Sequence, residues 1–254
     1  MGRRTPLLLL GLGLGTFVVF TIAFLPASTV GRFLPAAIRV DRLTGTIWDG
    51  HALSLRIGQT TIDELHWRCA VLPLLIGRVR CDVDSDLGGG HFQALVTLRP
   101  GTRVSVTGLR GELPLESAGT TGAARGWRGR LRFEDVGAEV ASGKPQGLSG
   151  RIIAQDLRAP DRPGTKLGSY ALELGEGFSA PGVIGGRLRD LDAPLFLRGT
   201  LRIDPLTGYL AEGEVAPRPG MPAEVLDTLG FLAPPDASGR RSFSIEGSFQ
   251  NRVR

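Results

Sequence analysis

Apolar and polar residues alternate along most of the chain after Thr44, with the period of a half-buried antiparallel β-strand. In the segment 91–99, every second residue from Phe92 to Leu98 is apolar, and the segment 78–87 alternates in the same way. Glycines inside such segments permit bulges and bends. The pattern therefore predicts a mainly β protein built on an extended, curved, mostly antiparallel sheet.

A short cassette of a glycine, a polar residue and an apolar residue recurs through the chain and predicts the points where strands begin. The copies are unevenly spaced, which argues against a propeller or a solenoid and favours a meander with turns of variable length. They start at Gly45, Gly129, Gly150, Gly186, Gly199 and Gly247.

The N-terminal run Leu7–Leu25 carries no charge and follows two arginines. As a helix it would span about 28 Å, close to the hydrocarbon thickness of a membrane. A cleaved signal peptide is the alternative, but the available cleavage sites lack a small residue at position −3. We therefore predict an uncleaved transmembrane helix at 7–25, between a short tail at 1–6 and a β-rich domain at 26–254. The flanking charges leave the sidedness open.

A short helix is also predicted near the C-terminus, in the segment 221–230. Pro222 suits an early helical position, Glu224 follows it in the first turn, and Gly230 ends the pattern. Other segments rich in turn-forming residues are too short to require a boundary between domains. The body of the chain is therefore interpreted as one β-rich domain with this single short helix.

The chain has a net charge of +5, and its basic residues are nearly all arginine. The arginines are scattered along the chain, commonly beside an acidic residue. Nucleic-acid-binding proteins instead cluster basic residues and interleave them with aromatic side chains that stack on bases. We therefore predict no nucleic-acid partner and interpret the arginines as a solvated outer surface.

The histidines do not form a recognisable metal site. No pair has the spacing of ligands on one helix face, and the zinc-hydrolase motif HExxH is missing. Nucleophile elbows and phosphate-binding loops are missing from the sequence as well. We predict no catalytic residue, no metal and no cofactor, so that the chain is not an enzyme. Each histidine is interpreted as an ordinary strand residue: His51, His66 and His91.

The segment 82–93 begins like a calcium-binding loop, because aspartates occupy its first, third and fifth positions. The sixth position, which needs a glycine, is Leu87, and the twelfth, which needs a glutamate, is Gln93. Strand alternation explains the three carboxylates more simply. We predict that they share the polar face of one strand: Asp82, Asp84 and Asp86.

The order of four segments resembles the type II secretion system protein N family. The segments are LTGTIWDGHALSL, LHWRCAVLPLLIGRVRCDV, GWRGRLRFEDV and the stretch 208–249, which begins GYLAEGEV. The resemblance implies structural and assembly roles, not an active site, for the positions of the family's core pattern. These positions are Gly45, Trp48, Gly50, Trp67, Leu75, Gly77 and Gly129.

The resemblance also implies a location and partners. It implies a single-pass protein of the inner membrane of a Gram-negative bacterium, with residues 1–6 in the cytoplasm and residues 26–254 in the periplasm. Such a protein would be an accessory component of the machine that exports folded proteins from the periplasm across the outer membrane. Its implied partners are the inner membrane and other type II secretion system proteins.

A lipid-binding or lipid-transfer module is the alternative hypothesis. The family is similar in overall character to the AsmA-like proteins, whose curved sheets form apolar grooves, and the strands here have one apolar face. A scaffold should bury that face, whereas a lipid carrier should leave a continuous apolar groove. For Trp48 we expect inward packing, with an exposed contact as the other interpretation.

A disulfide is predicted between Cys69 and Cys81. By strand parity Cys69 shares a face with Trp67, and Cys81 also points to the apolar side of its strand. Pro73 and Gly77 can turn the intervening chain into a hairpin. The periplasm that the resemblance implies would oxidise the pair. The alternative is two buried free thiols, which a register slip of one residue would favour.

Overall fold

The computed structural model describes residues 13, 17, 20, 21, 23–31, 38–57, 60–70, 77–101, 103–118, 126–141, 144–159, 164–175, 183–204, 207–221, 226, 229, 230 and 232–248. The chain divides into two compact units, Met1–Asp86 and Leu87–Arg254. Within each unit every strand pairs antiparallel with its neighbour in sequence, so that the order of strands in space is their order in the chain.

In the first unit a short helix, α1 (Ala27–Gly31), precedes a four-stranded meander. Its strands are β1 (Ile38–Gly45), β2 (Asp49–Ile57), β3 (Thr60–Ala70) and β4 (Val79–Leu87), the last of which reaches the boundary of the unit. Alternation of polar and apolar residues produces these strands, and glycine-containing turns separate them.

The second unit is a longer meander, and a short helix follows its second strand in the part that the structure describes. Its elements are β5 (Gly90–Arg99), β6 (Arg103–Pro114), α2 (Leu115–Ala118), β7 (Arg128–Ala141), β8 (Lys144–Arg158), β9 (Lys166–Leu174), β10 (Ile184–Asp192), β11 (Leu195–Asp204), β12 (Gly208–Pro217) and β13 (Arg241–Ser248). The mainly β, antiparallel prediction is therefore confirmed.

One face of the second unit is apolar across all of its strands. Residues directly opposite each other share a face, so the register traces rows across the sheet. One such row contains apolar residues and glycines only; we call it the apolar row. It runs Phe92, Gly111, Phe133, Ile152, Leu172, Leu188, Gly199, Gly213 and Phe243.

Few side chains of the described residues are fully buried. The buried apolar side chains are mostly small or aliphatic, such as Ala171 and Val136, and no large side chain has less than 2% of its surface exposed. Strands contact chiefly their neighbours in the sheet, and within the described ranges no second sheet packs on the apolar row. Its members are consequently half-buried for the most part.

Bulges interrupt the ladders at residues with left-handed backbone conformation. Asp135 and Asp156 have φ of 50°, and the pairing of β7 with β8 shifts register beside both of them. Glu64, also at φ 50°, lies where the pairing of β3 with β4 shifts. A bulge of this kind bends a strand and re-aims the side chains next to it.

The glycine cassettes do not all open strands, so that prediction is wrong for four of the six copies. Gly129 and Gly186 lie near the start of β7 and β10. The other copies end a strand or lie inside one, at Gly45, Gly150, Gly199 and Gly247. The physical reason is close backbone approach: a Cβ on Gly199 would lie 2.5 Å from the Glu212 carbonyl oxygen of the next strand.

The two predicted helices fall largely on residues that the structure does not describe. Among the described residues, no helix combines the length and the apolar character needed to cross a membrane. The run 7–25 has only scattered described positions, so the transmembrane helix stays a prediction. The same holds for the C-terminal helix, of whose segment 221–230 only four positions are described. The curvature of the sheet also stays a prediction.

Candidate functional site

A tight turn joins β1 to β2 and is built on Gly45 and Thr46. Gly45 has φ of +83°, and a Cβ on it would overlap the Asp49 carbonyl group, so only glycine fits. The Thr46 N–H donates to the Asp49 carbonyl oxygen at 2.8 Å. The Thr46 hydroxyl oxygen accepts the N–H groups of Trp48 and Asp49 at 3.3 and 3.0 Å. The threonine therefore gives a hydrogen-bond partner to two backbone N–H groups of the turn.

The indole ring of Trp67 covers this turn from the neighbouring strand. Trp67 stands directly opposite Gly50, and a Cβ on Gly50 would overlap the ring. The indole Nε1–H donates to the Ile47 carbonyl oxygen at 3.2 Å. The apolar ring of Trp67 thus packs over a buried glycine, and its polar N–H group is hydrogen-bonded. We call residues 45–50 together with Trp67 the tryptophan corner.

The N-terminal segment joins the sheet at the tryptophan corner. The Ile47 N–H donates to the Leu25 carbonyl oxygen at 3.0 Å, and Pro26 forms an isolated β-bridge with Thr46. Ala27, the first residue of α1, is 1% exposed. These contacts connect the end of the predicted membrane segment to the first turn of the sheet, so the corner would carry any constraint that the anchor imposes.

A disulfide lies immediately beside the corner. The Cys69 N–H donates to the Trp48 carbonyl oxygen at 2.6 Å and therefore points toward β2, away from β4. Cys69 and Cys81 are directly opposite, and this direction makes them a non-hydrogen-bonded pair, in which side chains approach most closely. Their sulfurs are 2.03 Å apart and their Cα atoms 3.9 Å apart. The bridge links β3 to β4 two residues after Trp67, on the same face of the strand.

The structure brings together four of the seven positions in the predicted family pattern: Gly45, Trp48, Gly50 and Trp67. Trp48 is half-buried, between the inward packing that we expected and an exposed contact. Gly77 precedes β4 with φ of +68°. Leu75 lies outside the described residues. Gly129 belongs to the second unit, in β7.

Comparison with known proteins identifies the family. Residues 36–244 match the family model described as Type II secretion system (T2SS), protein N. The chain belongs to the type II secretion system protein N family. It is similar to the Type II secretion system protein N of Aeromonas hydrophila, with 26% identity over 274 aligned residues that cover 96% of this chain and 99% of that protein. No solved structure matches the chain.

The match confirms the family that the order of segments indicated. The matched range 36–244 includes the tryptophan corner and both cysteines, so these features lie within the part shared with the protein N family. Membership implies a role in type II secretion together with other proteins of that system. The family is a secretion component and is not known as an enzyme.

An aromatic ring that covers a glycine on the neighbouring strand occurs at several places in this chain, and the sequence analysis did not predict it. Phe92 stands opposite Gly111 as Trp67 stands opposite Gly50, and the side chain of each aromatic residue occupies the Cβ space of its glycine. Tyr209 covers Gly247 in the same way. A glycine inside an otherwise alternating strand could have indicated such a pairing. The aromatic residue that covers it depends on the register between the two strands, which cannot be read from the sequence.

The polar face of the first unit carries two stacked imidazole rings. His51 and His66 are directly opposite, with ring centroids 4.1 Å apart, and Asp84 stands opposite His66 on the next strand. Beside them, Arg68 pairs with Asp49 at 3.5 Å. Within the described ranges no group of three or more His, Cys, Asp or Glu side chains is arranged to hold a metal ion.

An ion pair between a nearly buried carboxylate and a partly exposed arginine fastens the β10–β11 turn in the second unit, and the sequence analysis did not predict it. The Asp190 side chain is 8% exposed; it accepts the Leu197 N–H at 2.9 Å and forms an ion pair with Arg218. Arg218 also donates to the Ala193 carbonyl oxygen at 3.0 Å. Burial, and then the charge of Asp190, raises the pKa of Tyr170 to about 12. Asp190 and Arg218 therefore hold the turn in place, because each side chain bonds both to the other and to a backbone group near the turn.

Proposed function

We propose that the chain is an accessory inner-membrane component of the type II secretion system that takes part in exporting folded proteins across the outer membrane. Family membership supports the secretion role. The bond from Ile47 to Leu25 is the structural observation that favours a tethered scaffold, because it fixes the first turn of the sheet to the segment that follows the apolar run. A charge-free run of this length suits a membrane anchor.

The proposed topology places residues 1–6 in the cytoplasm, 7–25 in the inner membrane and 26–254 in the periplasm. The disulfide supports the periplasmic location, because such bridges persist in oxidising compartments. Cell fractionation tests the topology: the full-length chain should be recovered with the inner membrane. A soluble product that begins near Ser28 or Ala37 would contradict it.

The other secretion proteins are proposed to bind at an exposed sheet edge. Pro26 and α1 contact β1 near its end, whereas β13 has a partner on one side only among the described strands. An unpaired edge presents N–H and C=O groups to which another chain can add a strand. The exposed Ile245 on β13 adds apolar contact area.

Photocrosslinking tests the binding proposal within a secreting cell. A crosslinking amino acid at Ser244 on β13 should capture another protein of the secretion system. The matched control replaces Ser54 on the inner strand β2, which has a neighbour on both sides and should give no adduct. Deletion of the gene should lower the amount of secreted protein. No adduct at Ser244, together with unchanged secretion after deletion, would contradict an accessory role.

Lipid binding is the second candidate function, and the apolar row favours it. Its side chains are mostly half-buried and carry no second sheet within the described ranges. Large apolar surfaces on soluble domains usually mark binding sites. A photoactivatable phospholipid should label Phe133→Cys on this face and leave Arg132→Cys, on the other face of the same strand, unlabelled. Equal labelling of the two positions would contradict a lipid groove.

A further inference from the structure

The polar face of the second unit is a ladder of alternating charges. Arg132 lies 3.8 Å from Glu112 and 3.4 Å from Glu134, and Arg151 lies 3.6 Å from Glu134. Farther along, Arg189 pairs with Glu173 at 2.5 Å. On this ladder each arginine has a carboxylate beside it. Opposite charges on neighbouring strands stabilise a sheet by a few tenths of a kcal/mol or more per pair.

The pattern of paired charges stops where β7 begins and β8 ends. Arg130 stands opposite Pro114 on one side and Gln155 on the other, and Arg128 stands directly opposite Arg158. None of these three arginines has an ion-pair partner anywhere in the part of the chain that the structure describes. Like charges that face each other across strands destabilise a sheet. Arg189 and Arg198 also face each other, on β10 and β11, but Arg189 pairs with Glu173 and Arg198 stands opposite Glu214, whereas Arg128 and Arg158 have no such carboxylate.

The three unpaired arginines lie around one depression of about 340 Å³. Register and parity put them on the same face, because Arg128 and Arg130 are two residues apart and Arg158 is opposite Arg128. Gly129 lies between the first two with φ of +143°, and a Cβ on it would lie 2.7 Å from the Gln155 carbonyl oxygen. A glycine at this position of the family pattern thus permits the close approach of β7 and β8.

The acidic residues at the rim restrict which anion fits. Glu116 and Asp156 also line the depression, so three arginines and two carboxylates leave a local charge of +1 (3 − 2). A singly charged ligand complements that charge, whereas a run of several carboxylates would meet repulsion from the rim. Guanidinium groups bind phosphate oxygens through paired, charge-assisted hydrogen bonds, and tetrahedral phosphate offers oxygens in several directions to several arginines.

We propose that Arg128, Arg130 and Arg158 form a binding site for a singly charged phosphate group, with a phosphodiester as the preferred form. Two sources share this chemistry: the headgroup of an anionic phospholipid and a free phosphodiester. The site goes beyond the proposed secretion role and does not depend on it. Bound phosphate would lie between the opposed guanidinium groups and remove the like-charge contact between Arg128 and Arg158.

Binding to the full-length protein in neutral detergent tests the proposal. The soluble probe is glycerophosphoglycerol, and the lipid probe is phosphatidylglycerol in nanodiscs, with phosphatidylcholine nanodiscs as the reference. Each of Arg128→Gln, Arg130→Gln and Arg158→Gln should weaken binding about tenfold, the loss of one charge-assisted contact. Arg198→Gln is the matched control, an exposed arginine on the same face that stands opposite Glu214 and should bind as the unaltered chain does.

A melting experiment provides a second readout that a purely structural role would not produce. Without ligand, Arg158→Gln should keep or raise the melting temperature, because it removes a like-charge contact. At one phosphodiester concentration, the melting temperature of the unaltered protein should rise more than that of Arg158→Gln. Binding of the soluble probe supports the phosphate site and shows that a free phosphodiester is sufficient. Binding of the lipid alone supports the site and identifies the phospholipid headgroup as its source.

Three results would overturn the proposal. They are no response of the unaltered protein to either phosphate probe, an affinity in all three arginine variants equal to that of the unaltered protein, and binding of an acidic peptide in place of phosphate. Secretion measured with the same variants separates this site from the proposed function. Loss of phosphate binding with normal export would leave the secretion role intact, and the reverse would leave the phosphate site intact.

Discussion

The tryptophan corner and the apolar row use aromatic residues in opposite ways. At the corner, one ring covers one glycine, its Nε1 binds the Ile47 carbonyl, and the turn, the N-terminal segment and a disulfide meet within a few residues. The apolar row has aromatic residues on three of its nine strands, Phe92 on β5, Phe133 on β7 and Phe243 on β13, and these strands contact chiefly their neighbours in the sheet. The first arrangement concentrates bonds at one place, whereas the second distributes them.

The two arrangements should respond differently to substitution. Interactions that share partners do not contribute additively, so one change at the corner should disturb several bonds together. A half-buried side chain in a single sheet loses only part of the burial energy of a core residue when it is truncated. We therefore expect substitutions at the tryptophan corner to destabilise the protein more than substitutions in the apolar row.

Loss of the Cys69–Cys81 bridge should have the largest effect. The cysteines are 12 residues apart, and closing a loop of that length stabilises a fold by about 3 kcal/mol. The double variant Cys69→Ser/Cys81→Ser should lower the free energy of unfolding by that amount. Tryptophan fluorescence in a Trp127→Phe background reports on the first unit, because Trp48 and Trp67 then remain. Alkylation of the denatured, unreduced protein at two cysteines would show that no bridge forms.

Gly50→Ala should cost about 2 kcal/mol, because overpacking forces the Trp67 ring from its place. A Cβ there would also lie 2.8 Å from the Thr46 carbonyl oxygen, which cannot move without opening the turn. Denaturant unfolding measures the change. Gly147→Ala in β8 is the matched control, because its Cβ meets nothing within 4 Å, and it should change stability by less than about 0.5 kcal/mol. Equal effects of the two substitutions would remove the contrast.

Phe133→Ala should cost about 1.5 kcal/mol, less than the roughly 3 to 5 kcal/mol of a fully buried phenylalanine. Phe133 is half-buried and contacts Phe92 edge to face, with ring centroids 5.6 Å apart. Amide hydrogen exchange in β7 measures the change. Leu98→Ala serves as the control, since Leu98 is 42% exposed and should matter little. A cost as large as that of a core residue would show that something covers the apolar row.

The last prediction concerns Tyr170, whose raised pKa should affect stability measurably only through its loss at alkaline pH. Burial raises the pKa of its phenol from 10.0 to about 12, so the folded state holds the proton more tightly than the unfolded chain. The stabilisation is complete below pH 10 and is lost as the pH rises toward 12. The difference in unfolding free energy between the unaltered chain and Tyr170→Phe should therefore shrink over that range. Parallel pH profiles would contradict the raised pKa.

Strand parity was the most dependable inference from the sequence. The alternation in 78–87 predicted a strand, and β4 covers 79–87 with its aspartates opposite residues of β3. Parity also put both cysteines on the apolar side, and the register places them opposite each other. Parity is local, since it depends only on the pleat of one strand. The glycine cassettes were a poor predictor of where strands begin. A glycine also occurs inside a strand, where the backbone of a neighbouring strand approaches closely.

The alternation of residues along the chain was enough to predict the strands and their two faces, and the order of segments was enough to indicate the family. The folded structure was needed to show which residues stand opposite each other: Trp67 over Gly50, Tyr209 over Gly247, and Arg128 against Arg158. Register depends on hydrogen bonds between strands and on each bulge along them. A single extra residue, as at Asp156, moves every later partner by one position. No local pattern in one strand contains that information.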